Sequence, residues 1–178
     1  MSKRSLALSR VYRLLEPGPV VLLATAGKTG PNVMTMSWHC MLEFEPPLVG
    51  CVVSNRNESF ARLRRSKECT LNIPTVELAA KVVAVGNSSG RATDKFAAFG
   101  LTPVPAALVA APLVDECYAA LECRVVDGRM VNAYNFFVLE VLKAWVERSV
   151  ENPKFIHHRG RGEFAVDGEI IRLPSKMK

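Results

Sequence analysis

The sequence predicts a mainly β fold with inserted helices, arranged as a small closed or nearly closed barrel. Three observations point there. Short apolar or alternating runs recur between turn residues from Val20 to Val53 and again from Cys117 to Ile171. Helical periodicity is confined to the N-terminus and the middle third. Strands this short and numerous leave many open edges, and closure removes them. A sandwich is the competing all-β solution.

In chain order, residues 6–16 read as a short helix stopped by Pro17-Gly18-Pro19. Residues 20–25 are a nearly continuous apolar run, the turn Gly27-Lys28-Thr29-Gly30-Pro31 reverses the chain, and residues 32–38 form the second arm of a hairpin. Pro46-Pro47 breaks the chain before a buried strand at 48–53, where Gly50 allows close packing. Residues 58–65 place Phe60 and Leu63 on one helical face, and residues 69–73 are a short strand. Thr75 is the N-cap candidate of a helix carrying Val76, Ala79, Ala80 and Val83 at amphipathic spacing. Asn87-Ser88-Ser89-Gly90 is a loop, 94–99 a helical turn closed by Gly100, and 102–112 a proline-punctuated surface connection. Cys117, Ala119, Leu121, Cys123 and Val125 then alternate with Tyr118, Glu122 and Arg124, which reads as a sheet with one buried face. Asp127-Gly128 turns the chain into a long strand at 136–147, and 164–166 with 170–171 form a final hairpin through Asp167-Gly168. Without repeats or low-complexity tracts, residues 1–178 read as one domain: a helix at 1–16, the barrel with its inserted helices at 17–173, and a tail at 174–178.

A chain of 178 residues, 49% hydrophobic and 22% charged, has ample material for a core, and this excludes a disordered class. No apolar run approaches the ~20 residues that span a bilayer, and the first ten residues lack a signal-peptide pattern, so no membrane and a cytoplasmic location are expected. Cys40, Cys51, Cys69, Cys117 and Cys123 show no metal-ligand spacing and read as reduced core residues, with no metal site. The net charge of +6 admits nucleic acid, anionic lipid or a phosphorylated small molecule as partner. The basic cluster Arg62-Leu63-Arg64-Arg65-Ser66-Lys67 has no interleaved aromatics and reads as a solvated helix face.

Polar residues in the wrong places carry the functional signal. Asn32, Thr35, Ser37 and Trp38 crowd a strand where buried polar groups need partners, which a planar hydrogen-bonding ligand would supply. Ser54-Asn55-Arg56-Asn57-Glu58-Ser59-Phe60 forms a polar strand-to-helix junction, and free amides at a helix N-terminus suit a phosphate. N-capping explains Ser54, Asn57 and Ser59 equally well. Trp38 alone reads as a core tryptophan, and Lys95 as a surface lysine.

The combination Asn32-Val33-Met34-Thr35-Met36-Ser37-Trp38-His39, the 54–60 junction, Leu71-Asn72-Ile73-Pro74, Asp94-Lys95-Phe96 with Gly100-Leu101-Thr102, Leu121-Glu122-Cys123, and His158-Arg159-Gly160-Arg161-Gly162-Glu163-Phe164 resembles the flavin reductase-like family, in its flavoredoxin-like branch. The resemblance runs from about Pro17 to Leu173. It implies an FMN-binding split β-barrel and a homodimer with FMN near its interface.

For the site, the resemblance implies phosphate contacts from Ser59 and Asn57 with Ser54 and Arg56 alongside, and Phe60 following. Asn32 and Thr35 would bond the flavin while the backbone of Met34, Thr35, Met36 and Ser37 addresses the pyrimidine edge, and Trp38 would pack against the ring or its chain. Ser88 and Ser89, with Asn87, would enclose the cofactor, Lys95 would donate to it, and Tyr134, Asn135 and Phe164 would approach from the partner subunit or the C-terminal tail. His157-His158 would stand at a nicotinamide entrance. No acid-base triad is needed, because the cofactor carries the chemistry.

The implied activity is an NAD(P)H-dependent flavin reductase passing a hydride to FMN and onward to an unknown electron acceptor. A flavoredoxin-like electron carrier with little NAD(P)H turnover is the alternative, and a nucleic-acid-binding module built on Arg62, Arg64, Arg65 and Lys67 a remote one. No GxGxxG follows a strand, so a Rossmann-type nicotinamide domain is not supported.

Overall fold

The computed structural model describes residues 2–174. The strands are β1 (Arg4–Leu6), β2 (Val21–Thr25), β3 (Asn32–Met36), β4 (His39–Phe44), β5 (Pro47–Val52), β6 (Glu68–Ile73), β7 (Pro103–Val104), β8 (Leu113–Val114), β9 (Ala119–Asp127), β10 (Phe136–Val146), β11 (Ile156–Gly160) and β12 (Glu163–Val166). The helices are α1 (Tyr12–Leu15), α2 (Glu58–Ser66), α3 (Ala79–Gly86), α4 (Lys95–Phe99) and α5 (Val131–Tyr134).

The main sheet is antiparallel, ordered β3-β2-β6-β9-β10-β5-β4, with β1 on the far end of β10. It curls but does not close. Its two edge strands, β3 and β4, are consecutive in sequence and joined only by Ser37 and Trp38. At that bend the His39 N–H donates to Ser37 O at 3.1 Å and the Val52 N–H to Trp38 O at 3.0 Å, which hands the chain from one sheet edge to the other. The sequence shows one extended arm at 32–38; the structure ends it at Met36 and adds β4, hidden in sequence by the run of exposed residues from Leu42 to Glu45.

Strand β2 is buried along its whole length because both sheet faces are covered. One core holds Val21, Leu23, Met36, Cys51, Leu71, Leu121 and Phe137 with Leu14 and Leu15 of α1 and Phe60 and Leu63 of α2. The other packs Leu22, Ala24 and Val33 against Val82, Val85 and Phe96 of α3 and α4, with Ile156 from the late hairpin. Cys51, Cys69, Cys117 and Cys123 are free and buried, as expected, whereas Cys40 is exposed.

Several expectations are corrected. The first sixteen residues hold β1, a 3-10 turn at Leu8–Arg10 and only one turn of α-helix, because Leu6 and its neighbours pair with β10. Thr75 precedes a 3-10 turn and makes no side-chain cap bond; Asp94, by contrast, caps α4, accepting from the Phe96 and Ala97 amides. Strand β9 does not have one solvated face. Glu122 is fully buried, its carboxylate accepting from the Ala107 and Leu108 amides and from Trp145 Nε1 at 2.7 Å, which ties the 102–114 connection to the sheet. The final hairpin is β11–β12, turning through Gly160, Arg161 and Gly162, all at positive φ. Asp167 bonds the Phe155 amide and His157 instead of forming a turn, and Ile170 and Ile171 are exposed outside any strand.

Candidate functional site

Strand β3 is an edge strand, so alternate backbone N–H and C=O groups point away from the sheet. Three segments distant in sequence are drawn to it: the first turn of α2, the end of α3 with its following loop, and the β11–β12 hairpin.

At the start of β3, Asn32 is buried and its Nδ2 donates to Ser59 Oγ at 2.8 Å. Gly90 lies over the same amide so closely that a Cβ there would sit 1.9 Å from Asn32 Oδ1. Asn57 is the N-cap residue of α2 but makes no side-chain cap bond, which leaves the Glu58 and Ser59 amides of the first turn without acceptors among the described residues. Glu58 receives Arg62 Nε at 2.9 Å and Arg91 Nε at 3.5 Å, and the two guanidinium groups hold its carboxyl below the usual carboxylate range. Arg62 is buried, and also donates to Gly30 O at 2.6 Å and Thr29 Oγ1 at 3.1 Å. It therefore braces the β2–β3 turn and is not part of a solvated face; Arg64 and Arg65 are exposed as expected.

Further along β3, Thr35 Oγ1 donates to Val82 O at 2.6 Å, and Gly86 comes close enough that its Cβ would contact the Thr35 side chain at 3.4 Å. Here a cleft of about 270 Å³ is lined by Thr35, Ser37, Val82, Gly86, His158 and Phe164, with Asn87 at its rim. His158 and Phe164 face each other with ring centroids 5.3 Å apart and form one wall.

The expected residues thus fall into groups. Thr35, Ser37, Asn87, His158 and Phe164 share the cleft, whereas Asn32 and Ser59 share one hydrogen bond at the start of β3, outside its lining. Strand alternation turns Met34 and Met36 toward the interior core, Met36 buried and Met34 half-buried against it, so the open edge presents chiefly their backbone. Phe60 is buried edge-on to Phe137, centroids 5.6 Å apart, and is placed in the core, away from the cleft. Trp38 is not a core tryptophan: it is 71% exposed at the bend between the two edges.

Lys95 is not a surface lysine. It is buried, its Nζ donating to Val85 O at 2.9 Å, and burial lowers its pKa. Ser54 accepts from the Arg56 amide and Ser89 from the Arg91 amide, each shaping its own turn, while Ser88 Oγ bonds back to Ala84 O. The Arg56 side chain is exposed. Tyr134 is exposed, and Asn135, at positive φ, accepts from the Val53 amide; both flank β5 on the side opposite Trp38 and do not line the cleft. His157 is engaged by Gly18 O and Asp167. Sequence reading missed Gly86, Gly90, Arg62 and Arg91. The Glu58–Arg62 spacing of four was the one available signal.

The flavin reductase like domain family matches residues 12–164. An uncharacterized protein of Escherichia coli K12, YddH, is 30% identical, covering 92% of this chain and 94% of its own. Among solved structures, an FMN-binding domain of a flavin reductases-like enzyme from Shewanella baltica superposes with TM-score 0.89 at 27% identity over 97% of each chain. The flavoredoxin of Desulfovibrio vulgaris shares the fold with TM-score 0.79 at 24% identity, covering 89% of this chain and 91% of its own. The sheet that curls without closing, the helices inserted between its strands and the match over most of the chain agree: this protein belongs to the flavin reductase-like domain family.

Proposed function

We propose that the protein binds FMN along the outer edge of β3 and works as an NAD(P)H-dependent flavin reductase. The observation that carries this reading is the convergence on one edge strand of a helix N-terminus, a glycine-bearing loop and an aromatic wall. These residues fit the group. At about 270 Å³ the cleft falls just below the ~300–1,000 Å³ range of ligand sites, suited to part of a mononucleotide, and Gly86 and Gly90 keep the approach to β3 clear of side chains.

Bound FMN supplies redox chemistry that no side chain here provides. The free backbone groups of β3 orient its pyrimidine edge, and the His158–Phe164 wall with Val82 excludes water from one side. The first turn of α2 receives the phosphate, with Arg56 and Arg91 at the rim. Ser59, only 1% exposed, positions that turn through Asn32; with its oxygen accepting from Asn32, its own proton is free to donate. The Lys95 ammonium, fixed at the end of α3, adds positive charge beneath the loop.

The protein acts as a homodimer in this reading. The outer face of β4 and β5 carries exposed Leu42 and Cys40, and Phe136 lies over Gly50 so closely that a Cβ there would be 2.4 Å from its ring. An apolar sheet face of this kind suits a self-complementary twofold contact. Five free cysteines suit a reducing, cytoplasmic setting. Among the described residues no helix is long and apolar enough to cross a membrane.

The test is an absorption spectrum of the purified protein before and after FMN, followed by anaerobic NADH or NADPH. Bound yellow FMN bleached with catalytic nicotinamide consumption supports the reading. Retained FMN without nicotinamide turnover makes the protein a flavoredoxin-like carrier, and failure to bind FMN refutes both.

A further inference from the structure

A second cleft, of about 630 Å³, opens between the N-terminal helical segment, the start of β9 and the end of β10, and shares no lining residue with the β3 cleft. Its floor is apolar and aromatic. Leu14 is 9% exposed, and Tyr118 and Phe155 meet with centroids 5.7 Å apart at 53°. Its rim is cationic: Arg10 and Arg13 project from one helical segment, and Arg148 follows Glu147, whose amide bonds Tyr118 O at 2.8 Å.

Among the described residues, no carboxylate lies within 4.0 Å of any of these three guanidinium groups, whereas Arg62, Arg91, Arg124 and Arg129 all have acidic partners. Three uncompensated positive charges around low-dielectric walls focus a field that attracts anions. The Tyr118 hydroxyl also lacks a hydrogen-bond partner among the described residues, and partial burial raises its pKa, so it stays a donor at neutral pH. An arginine fork binds a planar acid group better than it binds water, and the aromatic floor gives the rest of the molecule a dry surface.

We propose that this cleft binds a small organic anion with an aromatic or aliphatic body, its carboxylate or sulfonate between Arg10, Arg13 and Arg148 and its body against Leu14, Tyr118 and Phe155. The surplus of basic residues in the chain suits such a partner.

The experiment titrates the full-length protein, with and without FMN, with anilinonaphthalene sulfonate, and then competes the probe with phenylbutyrate and with neutral phenylbutanol. One saturable site is expected, displaced by phenylbutyrate and not by the alcohol. It weakens at least about tenfold in the Arg13→Ala/Arg148→Ala double variant, while Tyr118→Phe, which keeps the ring, weakens it by about threefold. FMN titrations of both variants match the wild type, which separates this site from the flavin site. Affinity unchanged within about twofold in the double variant, equal displacement by the alcohol, displacement by FMN, or arginine-dependent binding seen only with phosphatidylglycerol vesicles would each overturn the proposal.

Discussion

The side-chain amide of Asn32 donates to the hydroxyl of Ser59 at 2.8 Å, and through this buried bond the outermost strand of the sheet fixes the first turn of α2. The two residues are 27 positions apart, and both are nearly inaccessible. The edge that would hold the ring and the turn that would hold the phosphate are thus mechanically one unit.

Replacing Ser59 by Ala leaves the Asn32 N–H buried and unpaired, which costs about 1–3 kcal/mol by denaturant unfolding. FMN affinity falls about tenfold by fluorescence titration, because the turn loses its alignment. The Asn32→Ala/Ser59→Ala double variant loses less than the sum of the single losses, since one shared bond is removed once.

Gly90→Ala places a methyl group where only 1.9 Å separates it from Asn32 Oδ1, so the loop moves outward. Gly86→Ala meets Thr35 at 3.4 Å, an ordinary contact. Isothermal titration with FMN is expected to show a loss of about tenfold or more for Gly90→Ala and a smaller loss for Gly86→Ala, whose methyl enters the cleft without displacing the backbone.

Arg62 and Arg64 share a helix turn but not a role. Arg62→Ala strips Glu58, Gly30 O and Thr29 of a buried donor and destabilises by about 3–5 kcal/mol in urea, whereas exposed Arg64→Ala stays within about 0.5 kcal/mol.

His39 donates from Nε2 to Pro19 O at 2.7 Å, its Nδ1 is buried without a partner, and burial depresses its pKa below the ordinary 6.5. The unfolded chain then takes up a proton that the folded chain resists. Stability is fully present above pH 6.5 and falls as pH drops below that value through the lowered folded pKa. Unfolding curves measured across this range should show a slope that flattens in His39→Gln. An identical slope would remove His39 as its source.

On the outer sheet face, Leu42→Glu puts a charge at the centre of the exposed apolar patch. Sedimentation velocity is expected to find a dimeric wild type and a monomeric variant; a monomeric wild type would contradict the dimer.

Much of this fold could be read in the sequence because its signals are local. The Val21–Thr25 and Asn32–Met36 arms, the Gly27–Gly30 turn and the Gly100 cap need only neighbouring residues to declare themselves. Strand β4 did not, since the register shift between Met41 and Glu43 leaves Leu42, Glu43 and Phe44 exposed in a row and breaks the alternation that marks a half-buried strand. Glu122 was misjudged because burial of a carboxylate depends on donors 14–23 residues away. In the site, residue types pointed to β3 and α2. What they do not encode is which polar groups spend their bonds on each other: Asn32, Ser59, Lys95 and Arg62 all have intramolecular partners that appear only once distant segments meet.

The most direct test of the β3 cradle is a crystal structure of the protein with FMN bound. The ring is expected against the Thr35–Ser37 edge between Gly86 and the His158–Phe164 wall, with the phosphate at the Glu58 and Ser59 amides. Flavin lodged in any other cleft, or a phosphate that leaves the first turn of α2 untouched, would contradict it.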